Sequence, residues 1–479
     1  MKRGVRVEWV RKVWESMAAQ PTGSPKMVGQ VGGVELGEDL DRVPDEILVE
    51  IVRRAGPKTA ARMCCLNSSW RSFLTSINSL WMHFLLHPAP SSSYAVLGDA
   101  LFFAETHLRS GYPLDLSAAT GNPISSLSLI SIYSQRAQVP GSIVIDGGSG
   151  YCKFGWSKYS SPSGRPATFL EFGNIESPTY SRLRHFFATV FNRMQVKPSM
   201  HPVVLSLPLC HYDESDSSRA WRRQMKDAIY SVLFDMNVPA ACALNQAVLA
   251  LYVAQRTSGI VVNIGFHATH IVPILHGKVM RNVGVEVTSM SALKITGFLK
   301  DLMQQNNINF GSIYTVRTLK ENLCYVARDY SAELTRNTKA SFVVSGEGSF
   351  TLSSERFLAG EILFQPHLAG VSTNGLHIAV AQCLDRCYAS NLCEETSWYR
   401  TIVLSGGTAC LPGLAGRLEN ELHAMGLPSC HGVRVLPPPY GADTAWYGAH
   451  LISNLSTFVS SWCVTKKTYK RKSRFPLVW

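Results

Sequence analysis

The sequence predicts a two-lobed α/β domain behind a small all-α module. Apolar residues recur at helical spacing over residues 40–86. From residue 142 to about 462, short β-branched runs alternate with helical patterns. Within that stretch the segments SIVIDGGSGYCKFGW and GIVVNIGFHATHIVPILHG each read strand, small-residue turn, strand. Two such hairpins facing each other across a cleft are what a two-lobed nucleotide-binding fold requires.

Length and composition set the broad class. The chain has 479 residues, of which 46% are hydrophobic, so it exceeds one ordinary domain. Its formal charge of +12 favours acidic partners, nucleic acid or anionic surfaces in a salt-screened way, without naming a ligand. Neither a secretory signal nor an apolar run of about eighteen residues is present. We therefore expect an intracellular, soluble protein with no membrane partner.

The 12 cysteines lie mostly in apolar runs, which indicates buried thiols in a reducing compartment. The tightest cluster is Cys383, Cys387 and Cys393. A metal site there is the alternative, but the segment reads as helix and no fourth ligand stands at a suitable spacing.

Three segments lie outside the two predicted folded units. Residues 1–39 read as a flexible N-terminal segment, with a basic amphipathic helix over 1–20 as the alternative. Residues 87–141 read as a linker with some helix. Residues 463–479 read as a basic tail, which could be a nuclear or nucleolar address, an RNA-touching segment or a solvated end.

The all-α module begins with an apolar surface formed by Leu40, Pro44, Ile47 and Leu48. Pro44 suits the first turn of a helix, and acidic residues after it complement the helix dipole. The run from Leu40 to Ile51, then Ala60 to Leu66, Trp70-Arg71 and Leu80-Trp81, resembles the F-box pattern. This resemblance implies a Skp1-type adaptor of a cullin ubiquitin ligase as partner. The alternative is a helical cap packed on the next domain.

Residues 142 to about 462 resemble the actin family in several segments that occur in the same order. These segments are Asp146–Lys153, Asn245–Tyr252, Arg256–Val261, Leu319–Ala327, Leu404–Thr408 and Asn454–Phe458. The resemblance implies an actin-like two-lobed ATPase fold of the actin, Hsp70 and hexokinase type. It also implies a cleft for ATP or ADP with Mg²⁺.

The first of these segments keeps the chemistry of a phosphate loop. Gly148 and Gly150 allow close backbone approach, Ser149 offers a hydroxyl, and Lys153 offers a charge. Asp146 could hold a water of a bound Mg²⁺. An ordinary glycine-rich hairpin is the alternative reading of this segment alone.

The second loop departs from the actin pattern of Asp, Ser, Gly, Asp, Gly. This chain has Asn263, Ile264, Gly265, Phe266 and His267. Asn263 cannot supply negative charge to a metal-water network, and Phe266 and His267 add bulk where phosphate would approach Gly265. We therefore expect no active ATPase.

Two residues match positions that order the attacking water in actin, namely Gln246 and His270. With Asn263 they read as a vestigial catalytic set, since phosphoryl transfer also needs a held metal and γ-phosphate. The alternatives are a hinge-helix residue that packs between lobes and a strand histidine with its own partner.

On the adenine side Lys320, Glu321, Gly407 and Thr408 match contact positions, while Ala442 replaces a basic residue. The alternative reading of Lys320 and Glu321 is a solvated helix face.

About fifty residues separate Lys153 from Pro202, fewer than in actin, so the outer subdomain is expected to be shortened. Filament formation is then not expected, because head-to-tail growth needs two opposed surfaces.

Together these patterns predict a protein-binding adaptor or scaffold in the nucleus, with the nucleolus and cytoplasm as further locations. Two alternatives stay open. One is a weak ATP-binding switch between the lobes, and the other is a scaffold in chromatin or nucleolar complexes without a role in ubiquitin ligation.

Overall fold

The computed structural model describes residues 43–66, 68–86, 130, 141–159, 161–167, 179–208, 215–390, 398–455 and 458–471. The predictions for the N-terminal segment, for Leu40, for Cys393 and for nearly all of the linker lie outside these residues. The chain divides into two compact units, with the boundary between Ala60 and Ala61.

The first unit contains helix α1 (Asp45–Ala55) and most of helix α2 (Pro57–Met63). Acidic residues in the first turn of α1 and Arg53 and Arg54 in its last turn complement the helix dipole. Gly56 ends the helix with φ +87°, a backbone conformation that side chains disfavour, and its N–H donates to Val52 O. Gly56 therefore separates α1 from α2.

Two further helices open the second unit, α3 (Ser68–Ser76) and α4 (Asn78–Leu86). Leu74 and Trp81 are buried, and the indole N–H of Trp81 donates to Leu74 O at 2.8 Å. The region 45–86 is therefore helical throughout, as the apolar spacing predicts.

An α/β region follows. Its strands are β1 (Ile143–Gly147), β2 (Cys152–Trp156), β3 (Val203–Leu207), β4 (Ala240–Asn245), β5 (Gly259–Ile264), β6 (Thr269–Leu275), β7 (Lys278–Val279), β8 (Val285–Val287), β9 (Ala340–Val344), β10 (Gly348–Leu352), β11 (Thr401–Ser405), β12 (Arg434–Leu436) and β13 (Val464–Thr465). Its helices are α5 (Thr179–Met194), α6 (Asp216–Asp235), α7 (Gln246–Val253), α8 (Ala292–Gln305), α9 (Ile313–Leu323), α10 (Tyr330–Leu334), α11 (Glu355–Glu361), α12 (Leu376–Ala389), α13 (Leu414–Ala424), α14 (Thr444–Ser453) and α15 (Lys466–Arg471).

Two sheets form two lobes. The first sheet has the order β13-β4-β3-β1-β2, with β1 antiparallel to β2 and parallel to β3. The second has the order β12-β11-β5-β6-β7, with β5 antiparallel to β6 and parallel to β11, while β8 pairs with β6. Each sheet has its own apolar core. The two predicted hairpins are confirmed as β1–β2 and β5–β6.

Helices α7 and α14 connect the lobes. Helix α14 contacts β1 and β3 of the first sheet, while α7 contacts β5 and β11 of the second. The two helices pack against each other, and Gly448 permits the close crossing because a Cβ there would clash with Leu249. This packing positions the two hairpins opposite each other.

The C-terminal basic segment is partly folded. Strand β13 pairs antiparallel with β4 at the edge of the first sheet. In α15 the Tyr469 ring lies 5.2 Å from that of Phe234, and Lys466 Nζ donates to Asn237 Oδ1 at 2.9 Å. The folded domain therefore extends past residue 462, where the sequence predicted a tail, because an aromatic contact and strand pairing fix residues 464–471.

Ten of the cysteines lie among the described residues, and Cys65 and Cys410 are exposed. The ten described cysteines are free, and Cys383 and Cys387 are buried on α12. Among the described residues no cluster of His, Cys, Asp and Glu could hold a metal ion. No helix within them is long and apolar enough to cross a membrane.

Candidate functional site

A cavity of about 1070 Å³ lies where the two hairpins face each other. It is lined by every residue that the sequence predicts for the nucleotide cleft. They are Asp146, Gly148, Ser149, Gly150, Lys153, Gln246, Asn263, Gly265, His270, Lys320, Glu321, Gly407 and Thr408. The fold therefore brings together residues that lie more than two hundred positions apart in the sequence.

Asp146 lies at the end of β1 and is only 3% exposed. Its Oδ1 accepts hydrogen bonds from Ser206 Oγ at 2.7 Å and Gln246 Nε2 at 2.8 Å. Its Oδ2 accepts one from Lys153 Nζ at 3.1 Å. Protein donors thus hold both oxygens of the buried carboxylate.

Lys153 faces Asp146 across the β1–β2 hairpin. Its ammonium also donates to the backbone oxygen of Ala442 and lies 3.8 Å from Asp443 Oδ1. Asp443 is in turn paired with Arg165, whose Nε donates to Oδ1 at 3.3 Å. Sequence reasoning missed both Asp443 and Arg165, although the placement of Ala442 beside the cleft was a signal for Asp443.

The turn of the first hairpin, Gly148 to Tyr151, lines the cavity. A Cβ at Gly148 would clash with the backbone oxygen of Tyr151, so this turn requires glycine. Among the described residues, no acceptor lies in hydrogen-bond range of the amides of Ser149 or Gly150. These two N–H groups are the part of the loop that could bind an anion.

The turn of the second hairpin is fixed on helix α8. Gly265 N donates to Ala268 O at 3.0 Å, which closes the turn. Gly265 O accepts from Ala292 N at 2.9 Å, and Phe266 O accepts from Leu293 N at 3.1 Å. The backbone of this turn is therefore fixed against the start of α8.

Phe266 lies against the first hairpin. A Cβ placed on Gly150 would be 3.0 Å from Phe266 Cδ2 and 3.2 Å from Cγ. The exposed His267 ring meets the Phe266 ring edge-on, with centroids 4.7 Å apart. The second hairpin thus places an aromatic group where the two turns approach each other.

Gln246 and His270, two residues of the predicted vestigial catalytic set, each have a polar neighbour within the protein. Gln246 begins α7, where the Asn245 side chain caps the helix by accepting from Ala247 N at 2.8 Å. Its amide binds Asp146, as described above. His270 Nε2 lies 3.5 Å from Glu286 Oε1, so this strand histidine has a carboxylate neighbour.

Lys320 is 5% exposed and not part of a solvated helix face. Its Nζ donates to Thr296 Oγ1 at 2.9 Å and to Ala292 O at 3.4 Å, both neutral acceptors. Burial lowers the pKa of this ammonium to about 8. By contrast Glu321 is exposed and accepts from Arg317 Nε at 2.8 Å, so the solvated reading holds for Glu321.

Arg317 spans the cleft. Its guanidinium lies 3.7 Å from the ring centroid of Tyr151 in the first hairpin, a cation–π distance. The sequence carried no signal for this pair, because the contact depends on how the lobes close.

The loop after β11 forms the remaining wall. Gly406 has φ +93°, and a Cβ there would clash with Ile264 O of β5. Thr408 Oγ1 is buried and has no hydrogen-bond partner among the described residues. This wall therefore offers one unsatisfied hydroxyl beside Gly407.

A Mg²⁺-polyphosphate held by both hairpins does not fit these side chains. Asp146 is bound by three protein donors, and the second hairpin has Asn263 and Phe266 at the positions of the family's acids. The Phe266 ring also covers Gly150, where a phosphate would need to approach the backbone.

The N-terminal helices carry the predicted partner surface. Pro44 is exposed and Ile47 is 41% exposed. Leu48 is only 5% exposed, so it stabilises the module and is not available to a partner, contrary to the sequence prediction. Leu40 lies outside the described residues.

Two family models match the chain. The actin model, described as Actin, matches residues 183–317 and 309–474, so the first hairpin lies outside its range. The F-box domain model matches residues 40–82.

Three curated relatives carry the name actin-related protein 8. The protein of Arabidopsis thaliana is 58% identical over 482 residues, which cover 98% of this chain and 100% of the relative. Those of Oryza sativa subsp. indica and subsp. japonica are each 54% identical over 483 residues, with 97% of both chains covered. The chain therefore belongs to the actin family and carries an F-box domain ahead of its actin domain.

Proposed function

We propose that this chain is a nuclear adaptor whose F-box helices bind a Skp1-type subunit of a cullin ubiquitin ligase. The actin domain then occupies the place where a target is recruited. The observation that carries the proposal is the F-box match over residues 40–82, with Pro44 and Ile47 exposed on α1.

The exposed pair suits a protein interface. Pro44 and Ile47 are three positions apart at the start of α1, so they lie on one side of the helix. Leu48 and Val52, one turn apart, are buried, so one face of the helix is covered by protein. A helix anchored in this way can present an apolar patch to a partner at little conformational cost.

The actin domain acts in this proposal by binding and not by hydrolysis. Asn263 cannot replace the family's acid, and Asp146 is engaged by protein donors. The net charge of +12 and the basic α15 support a nuclear location and acidic partners. A nucleotide-dependent switch is the second candidate, supported by the convergence of the predicted residues on one cavity.

Binding to a purified Skp1-type subunit tests the adaptor role. We expect Ile47→Asp in the full chain to weaken binding by at least about tenfold, because a charge would be buried in the interface. Val343→Asp is the matched control, since Val343 is 69% exposed on β9 of the actin domain. Calorimetry measures both affinities.

Unchanged binding by Ile47→Asp would contradict the docking surface. A chain that enters nuclear complexes but never retains the Skp1-type subunit would favour the scaffold without a ligase role. Imaging of the tagged full chain checks the nuclear location.

A further inference from the structure

We propose that Phe266 closes the cleft from within, holding the two hairpins together without a nucleotide and barring a Mg²⁺-polyphosphate. The proposal concerns the cleft alone and is independent of the F-box role. It rests on four observations: the fixed turn, the covered glycine, the second contact across the cleft and the internal pairing of the nearby charges.

The turn that carries Phe266 has little freedom. Three backbone hydrogen bonds constrain it, one across the turn and two to the start of α8, with N···O distances of 2.9–3.1 Å. The backbone that carries the Phe266 side chain is therefore fixed in the second lobe.

The ring of Phe266 lies beside Gly150 of the first hairpin, a residue without a side chain. Three of its carbon atoms would lie within 3.0–3.3 Å of a Cβ at Gly150. Such distances are tighter than ordinary carbon contacts, so a larger residue at position 150 would push against the ring. The ring thus stands between the two turns at Gly150 and takes up part of the space that a phosphate group would need.

A second contact joins the lobes on the adenine side. Arg317 of α9 lies 3.7 Å from the ring centroid of Tyr151, the residue after Gly150. Consecutive residues of the first hairpin therefore each receive a side chain from the second lobe. Two adjacent contacts of different chemistry define one closed arrangement better than either alone.

The charges at this end of the cavity are already paired. Lys153 is shared between Asp146 and Asp443, and Arg165 is bound to Asp443. A polyphosphate would have to displace these carboxylates to obtain cationic partners, without the acids that would hold its metal. Protein side chains thus occupy part of the phosphate position, and protein carboxylates already neutralise the cations beside it.

Nucleotide titration of the full chain and its variants tests the proposal. For the wild type we expect no increase in melting temperature with Mg-ATP at millimolar concentration. Phe266→Gly opens the gap, so we expect a lower melting temperature without nucleotide and at least tenfold tighter Mg-ATP binding by calorimetry, about 1.4 kcal/mol. Phe266→Leu keeps apolar bulk and should bind Mg-ATP no better than the wild type.

A double-mutant cycle tests the contact itself without any ligand. Gly150→Ala places a methyl group against the ring and should lower the melting temperature of the wild type. In the Phe266→Gly background the same change should have a much smaller effect, because the clash is gone.

Three outcomes would overturn the proposal. They are Mg-ATP binding by the wild type as tight as by Phe266→Gly, no gain in binding by that variant, or additive effects in the cycle. If Phe266→Gly fails to fold, Phe266→Ala takes its place in the titration and in the cycle, with the same expected and overturning results.

Discussion

The two hairpins of the cleft have the same backbone arrangement, but only the first carries a buried charged residue at the end of its first strand. In each, an antiparallel pair of strands encloses a short turn, and a polar residue sits near the end of the first strand, Asp146 in one and Asn263 in the other. The first hairpin keeps its acid and three donors around it. The second has an amide and an aromatic ring.

The strand partners explain this difference. Asp146 lies opposite Lys153 in the β1–β2 register, so the acid has its cation within the same hairpin. Asn263 lies opposite His270, which is already beside Glu286. A carboxylate at 263 would lack a cationic neighbour from its own hairpin and would depend on an external cation.

In these hairpins the buried charge, Asp146, occurs where the same hairpin supplies an opposite charge, Lys153. An isolated buried carboxylate is expensive, whereas an amide with a similar shape is tolerated. Position 146 can therefore carry a buried carboxylate opposite Lys153, whereas position 263, opposite His270, carries a neutral amide. Three predictions about the cleft test this account, beginning with the one that should change stability most.

The largest effect is expected for Asp146→Ala. Removal of the carboxylate leaves the Lys153 ammonium and the Gln246 amide without their buried acceptor. We expect the free energy of unfolding to fall by about 3–5 kcal/mol, as for other broken buried ion pairs. Urea denaturation measures the change.

Asn263→Ala is the matched control in the other hairpin. It removes a neutral side chain of 8% exposure, so a loss of about 1–2 kcal/mol is expected. Equal losses for the two variants would show that the hairpins do not differ in this way.

The regular parts of this cleft could be predicted from the sequence. Glycine-rich turns between β-branched runs mark both hairpins, and the thirteen residues that the resemblance to actin assigns to the cleft all line one cavity. Such features are local in sequence or carried by family segments. The helical module could likewise be predicted from its apolar spacing, and Gly56 marks the end of its first helix.

The contacts between segments could not be predicted. Pairs such as Arg317 with Tyr151 and Arg165 with Asp443 join residues with no periodic relation, and they exist only because the lobes close. Two expectations about which residues are exposed were also wrong, one from the apolar pattern and one from the basic charge pattern. Leu48 is a core residue of α1, and part of the basic C-terminal segment is a strand and a helix because Tyr469 packs on Phe234.

Lys320 gives the second, pH-dependent prediction. Burial lowers its pKa from 10.5 to about 8, so the unfolded chain binds its proton more tightly than the folded chain between these values. Stability contributed by this group therefore rises with pH from about 8 to 10.5, and the full penalty applies below pH 8. Lys320→Met should stabilise the protein by about 1–3 kcal/mol at pH 7 and by much less at pH 10.5.

Chemical denaturation at several pH values checks this difference. Lys294→Met is the control, because Lys294 is exposed on the neighbouring helix α8. A constant difference between wild type and Lys320→Met across the pH range would mean that the ammonium is not the source of the penalty.

The smallest effect is expected for the contact between Arg317 and Tyr151. Because the Arg317 side chain is partly exposed and also bonds Glu321, its attraction to the ring is worth about 0.5–1 kcal/mol. We expect Tyr151→Leu to lower the free energy of unfolding by that amount and to make Arg317→Gln nearly neutral, since the ring is then absent. Additive losses in this cycle would place the stabilising role of Arg317 in its bond to Glu321 and would leave Phe266 as the side chain that joins the hairpins.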